Sequence, residues 1–179
     1  MVDTSSIKQD PTIGSALCQS CGLCCTGVAC SVTVVSPSQD KAFSDLFADS
    51  IIVSDDHGDN SQKTWINQPC PAFAGNCSVY ESRPVDCRTF RCALLEKLLA
   101  GAVDPESAKS IVDSILSALD KLAAQYNAEY KQFLSRDEIF PVLKRLHRDA
   151  VDKASQTAFW EAYPEYLSVR YLIEKHFDK

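Results

Sequence analysis

Cys18-Gln19-Ser20-Cys21-Gly22-Leu23-Cys24-Cys25 puts four of the chain's nine cysteines into eight residues. A single buried cysteine packs as a small hydrophobe, but four in one short stretch cannot all face a core. With two residues between them, thiolates can converge on one ion about 2.3 Å from each sulfur. The other five are Cys30, Cys70, Cys77, Cys87 and Cys92, so every cysteine lies between residues 18 and 92. This reads as a cysteine-built metal centre followed by a helical extension.

A chain of 179 residues is long enough for a domain with its own core. The net charge of −6 speaks against general nucleic-acid binding. The start, Met1-Val2-Asp3-Thr4-Ser5-Ser6, has no basic region or apolar segment of a secretory signal, and no apolar run approaches membrane-helix length. A cytoplasmic location is therefore expected, where thiols stay reduced. An odd cysteine count also argues against a closed disulfide framework.

The expected fold class is α+β, mainly α: an irregular Cys-rich, metal-centred N-terminal half with a few short strands, then a helical C-terminal half. Residues 1–15 read as a loose lead-in, 16–100 as the Cys-rich metal-binding domain, and 101–179 as a helical extension packed on the same unit. Residues 16–27 form the cysteine loop. Val28, Cys30, Val32 and Val34 share one parity, which predicts a short strand with Cys30 as a core-facing alternative to a ligand. Ala42, Phe43, Leu46 and Phe47 predict a short amphipathic helix over 39–48, and Ile51-Ile52-Val53 a strand. Asp55–Asn60 reads as a polar turn, with His57 a solvated loop residue. Trp65-Ile66 begins the next apolar element.

Pro84 suits the first turn of a helix running to about Ala100, with Gly101 as its stop. On such a helix Cys87 and Cys92 diverge by roughly 140°, so Cys92 is expected to serve another site or the core. Asp104-Pro105-Glu106 opens a further helix, with Ile111, Ile115, Leu119, Leu122 and Tyr126 along one face. Ser135 and Glu138 have the capping-box form. Pro141 kinks that helix or marks its start, with Val142, Leu146, Ala150 and Val151 inside. Pro164 opens a last helix lined by Tyr166, Val169, Ile173 and Phe177. His147 and His176 are expected on the surface, and Lys144, Arg145 and Arg148 on a solvated helix face.

Two metal chemistries fit the thiols. Cys18-x₂-Cys21-x₂-Cys24 has the three-thiolate spacing of a ferredoxin-type iron–sulfur cluster, with Cys70-Pro71 or Cys87 as the fourth ligand. Cys18-x₂-Cys21-Gly22 equally resembles half of a zinc knuckle that a second thiol pair closes. The spacing puts the iron–sulfur cluster slightly ahead of zinc. Cys24 and Cys25 are adjacent, so one of them serves a second site or supports the first. Arg83, Arg88 and Arg91 flank Cys87 and could offset the negative charge of such a centre.

These motifs resemble the YkgJ-type cysteine cluster family, described as zinc- or iron-chelating CxxCxxCC proteins. The resemblance rests on Cys-x₂-Cys-Gly-x-Cys-Cys at 18–25, Cys70-Pro71, Gly75-x-Cys77-x₂-Tyr80 and Arg83-Pro84-x₂-Cys87-Arg88-x-Phe90. It covers about residues 18–92. It implies a bacterial, cytoplasmic metal-binding domain, and it includes a flagellin lysine methylase linked with an iron–sulfur cluster.

The candidate ligands are Cys18, Cys21, Cys24, Cys25, Cys70, Cys77, Cys87 and Cys92. The first function they suggest is metal binding. The second is a lysine methylase-like or redox enzyme that uses the centre, with Cys25 or Cys92 as a reactive thiol. The third is a zinc-stapled module whose helical half receives a protein partner. On the spacing alone, Cys21→Ser is expected to abolish metal binding and unfold the N-terminal half. Metal analysis and circular dichroism check this, and full metal content in the variant would contradict it.

Overall fold

The computed structural model describes residues 11–55 and 62–178. The chain forms two compact bodies, one from the segment ending at Cys21 together with Arg91–Lys179, the other from Gly22–Phe90. The class is α+β, mainly α, with one small sheet.

The helical body begins with α1 (Pro11–Cys21), where proline takes the first helical position. Residues 1–10 of the expected lead-in lie outside the described residues, but residues 11–21, expected as lead-in and loop, are helical. Gly14 explains how: a Cβ there would lie 3.2 Å from Leu95 and 3.3 Å from Leu99. The missing side chain lets α1 lie close against α4 (Ala93–Leu99). Next comes α5 (Pro105–Tyr130), capped by Asp104, whose carboxylate accepts the Ser107 N–H at 2.8 Å. It buries Ala108, Val112, Ile115, Leu119, Leu122 and Ala123, a stripe at helical spacing.

The capping box of Ser135 and Glu138 starts α6 (Arg136–Asp149), which continues through Pro141. Its inner face is Ile139, Phe140 and Leu143. The expected face through Leu146 and Val151 is wrong: these are 36% and 85% exposed. The helix starts at Arg136, ahead of Pro141, and this phase turns Ile139 and Leu143 inward. Asp152 caps α7 (Lys153–Ala162), a helix too weakly patterned to be foreseen.

The last helix, α8 (Pro164–His176), buries Tyr166, Val169 and Ile173, with Phe177 buried just beyond it, as the spacing predicts. Phe140 stacks on Tyr166, and Phe159 meets Tyr166 edge-on. His147 departs from the surface expectation. It is half-buried, 4.5 Å from the Trp160 ring, and burial, with Arg170 nearby, pushes its pKa down.

In the other body, β1 (Val32–Val34), β2 (Ile51–Asp55) and β3 (Gln62–Asn67) form an antiparallel sheet in the order β1-β3-β2. Thr33 and Ile51 both pair with Ile66. Val35, Phe43, Ile66 and Ala72 form the core, with Phe43 supplied by α2 (Lys41–Leu46). The parity expected for β1 is reversed. Thr33 and Val35 face inward, while Val32 and Val34 are exposed. Cys30 precedes the strand, so it is not one of the strand's core-facing residues.

The long helix expected from Pro84 is instead two. α3 (Val85–Thr89) ends where Phe90 turns extended, and Cys92, also extended, caps α4 by accepting the Leu95 N–H on its sulfur. The turn expected at Asp55–Asn60, with His57, lies almost wholly outside the described residues.

Leu143 is fully buried. Leu143→Ala should cost about 2–5 kcal/mol of stability, read from urea unfolding. A loss under about 1 kcal/mol would show that this face of α6 is not core.

Candidate metal centre

Three segments of the Gly22–Phe90 body carry its cysteines. The first is a tight loop after α1. The Leu23 carbonyl accepts N–H groups of both Val28 and Ala29, and Thr26 N–H bonds Gly22 O, so the backbone around Cys24 and Cys25 is folded back on itself. Gly22 has φ +65°, which favours glycine. A Cβ there would also lie 2.4 Å from the Phe73 ring. The glycine of the Cys-Gly motif is thus fixed twice, by its backbone and by its neighbour.

The second segment runs from Cys70 to Cys77. Cys70 N–H donates to Cys25 O at 2.7 Å, joining it to the first loop. Phe73 N–H bonds Cys70 O, Ser78 N–H bonds Ala72 O, and Phe73 bridges Cys77 across the Gly75 turn. Cys70 packs on the core, as does Val79.

The third segment is α3, which carries Cys87. The Asp40 carboxylate, 1% exposed, accepts Ser36 N–H and Val85 N–H at 2.8 Å each and faces Arg88 at 3.8 Å. Asp86 accepts Val34 N–H at 3.0 Å. Two carboxylates therefore clamp α3 to β1 and to the turn before α2.

Cys70, Cys77 and Cys87 come within electrostatic reach of one another. Burial pushes the Cys70 thiol up, against a backbone hydrogen bond from Ala72 and with Cys77 adding to the rise. Burial pushes Cys87 up to about 11; the Thr33 hydroxyl works against this, while Cys70, Asp86 and Cys77 add to it. Like charges in a half-dry setting resist ionisation until a cation joins them. The arginines expected to supply that charge have other partners. Arg83 lies over the Tyr80 ring at 3.7 Å and donates to the Tyr80 carbonyl, and Arg88 faces Asp40. Arg91 belongs to the helical body.

The donor chemistry fits a thiophilic metal: Cys70, Cys77 and Cys87 are half-buried sulfur donors that interact electrostatically. Among the described residues, no three His, Cys, Asp or Glu side chains form a ready ligand group. Cys18 and Cys21 lie on α1 and Cys92 caps α4, all three in the helical body. Cys24, Cys25 and Cys30 are half-buried in or near the first loop. Asp40, Thr33 and Gln68 carry structural weight here that the sequence reading gave none of them. Only an aspartate before a helix could have drawn attention, and it would have suggested a cap.

The family model "CxxCxxCC: Putative zinc- or iron-chelating domain" matches residues 17–111, just over half of the chain. The chain belongs to this family. The match takes in all nine cysteines and all three segments of the candidate centre. No curated protein and no solved structure matches the chain. The CxxCxxCC description agrees with the sulfur-rich donor set found here. No described helix is long and apolar enough to cross a membrane.

Gly22→Ala should lower the melting temperature of the CxxCxxCC domain by several degrees, because it adds both a strained φ and a ring clash. Shrinking the ring as well, in Gly22→Ala/Phe73→Ala, should not restore the wild-type value, since the φ strain remains. A wild-type melting temperature in Gly22→Ala would contradict the close approach.

Proposed function

We propose that the Gly22–Phe90 body is a thiolate-held metal centre in which Cys70, Cys77 and Cys87 are ligands and Cys25 closes the set. The observation that supports this reading is the electrostatic proximity of three half-buried thiols from two segments, with the Cys70 N–H donated to the Cys25 carbonyl of a third. Four thiolates satisfy zinc(II) as a tetrahedral site, and they equally satisfy an iron–sulfur cluster. The spacing that put the cluster first treated Cys18, Cys21 and Cys24 as one loop. With Cys18 and Cys21 on α1, that preference loses its basis, and zinc stands level with iron.

A bound metal would supply the positive charge that these sulfurs otherwise lack. The chain's own part is to hold them in place: the Leu23 carbonyl shapes the first loop, the Gly75 turn brings Cys77 back toward Cys70, and the two aspartates fix α3. The centre is proposed to act in the cytoplasm, where its thiols stay reduced.

Protein purified without oxygen should contain stoichiometric zinc or iron. Acid-labile sulfide and a brown colour with the iron would identify a cluster, and colourless zinc protein a mononuclear site. Cys77→Ser and Cys87→Ser should each abolish stoichiometric metal, whereas Cys30→Ser should keep it. Full metal content in either of the first two variants would overturn the assignment.

A further inference from the structure

We propose that Thr33 is a positioning residue of the centre, its hydroxyl donating a hydrogen bond to the Cys87 sulfur when that sulfur is a metal-bound thiolate. This rests on the metal-centre reading above. Thr33 lies on the inward face of β1, 7% exposed. Its Oγ1 accepts the Gln68 Nε2–H at 2.8 Å and, while Cys87 is a thiol, the Cys87 Sγ–H at 3.9 Å. A hydroxyl has one proton and two lone pairs. Gln68 occupies a lone pair, which leaves the Thr33 proton for a second partner. A metal-bound thiolate carries no proton and can only accept. With Cys87 bound to metal, the donors would run from Gln68 to Thr33 to Cys87, reversing the hydrogen bond that the free thiol donates to Thr33.

Both ends of this relay are fixed independently. Val34, next to Thr33, donates its N–H to Asp86, next to Cys87. Asp40 holds Val85, two residues before Cys87. Gln68 is tied down by its own N–H to Ser31 O at 3.0 Å. Its Oε1 is buried and has no hydrogen-bond partner among the described residues, so Thr33 is the contact that orients the amide. Outer hydrogen bonds of this kind aim a ligand and draw charge from its sulfur.

The test measures zinc(II) affinity of the full chain, without oxygen, by competition with a chromophoric chelator. Thr33→Val keeps the shape and removes the hydroxyl, and it should weaken binding about tenfold, the lower end for loss of such a partner. Thr33→Ser restores the hydroxyl and should return affinity to within about threefold of wild type. With cobalt(II) in place of zinc, the sulfur-to-metal charge-transfer band should move to lower energy in Thr33→Val and return in Thr33→Ser. Gln68→Leu should shift the band in the same direction, which covers the case of a Thr33 variant that folds poorly. Wild-type affinity and band in Thr33→Val, or a Thr33→Ser chain no better than Thr33→Val, would overturn the inference and leave the centre standing. Wild-type affinity in Cys87→Ser would overturn the centre, and the inference with it.

Discussion

The buried carboxylate of Asp40 is the constraint on which the Gly22–Phe90 body depends. Taking a charge out of water is costly unless hydrogen bonds replace those that water made. Asp40 receives two, from backbone N–H groups 49 residues apart in sequence at Ser36 and Val85, and it faces Arg88 as well. Asp40 stands at the N-cap position of α2, yet it gives that helix no side-chain hydrogen bond. Its carboxylate is turned instead to α3. Asp86 repeats the device from the other side by holding Val34. The short helix with Cys87 is too small to be stable on its own, and these two clamps define where its thiol sits.

What the clamps hold together is a group of thiols. Three half-buried thiols share one region: Cys77 makes ionisation of Cys70 harder, and both make that of Cys87 harder. A cation reverses that balance, because a coordinated thiol gives up its proton to the metal. Binding and local order should then be linked: loops with little core of their own gain a common anchor. The small core under the sheet, Val35, Phe43, Ile66 and Ala72, supports this arrangement, with Cys70 packed on its edge.

The sequence was most informative where local signals decide the outcome. The Asp104-Pro105 start, the Ser135 capping box and the stripe of Tyr166, Val169 and Ile173 each depend on neighbours within a turn or two, and each appears as read. It misled where tertiary contact overrides pattern. Residues 11–21 look loose in isolation, but Gly14 lets them pack as a helix on Leu95 and Leu99. The valines at 32 and 34 look like a core face, but the buried side of the edge strand belongs to Thr33 and Val35. At the candidate centre, residue type and spacing marked the cysteines as candidate ligands. Which of them converge was not readable, because contacts spanning 45 and 52 residues, from Asp40 and Asp86, set the position of Cys87.

The most direct test is X-ray absorption at the edge of the bound metal, on the full chain purified without oxygen. The expected first shell is sulfur alone, three or four scatterers at about 2.3 Å. It should lose a sulfur, or the metal altogether, in Cys87→Ser. A shell dominated by nitrogen and oxygen, or an unchanged sulfur shell in Cys87→Ser, would contradict a centre built on Cys70, Cys77 and Cys87.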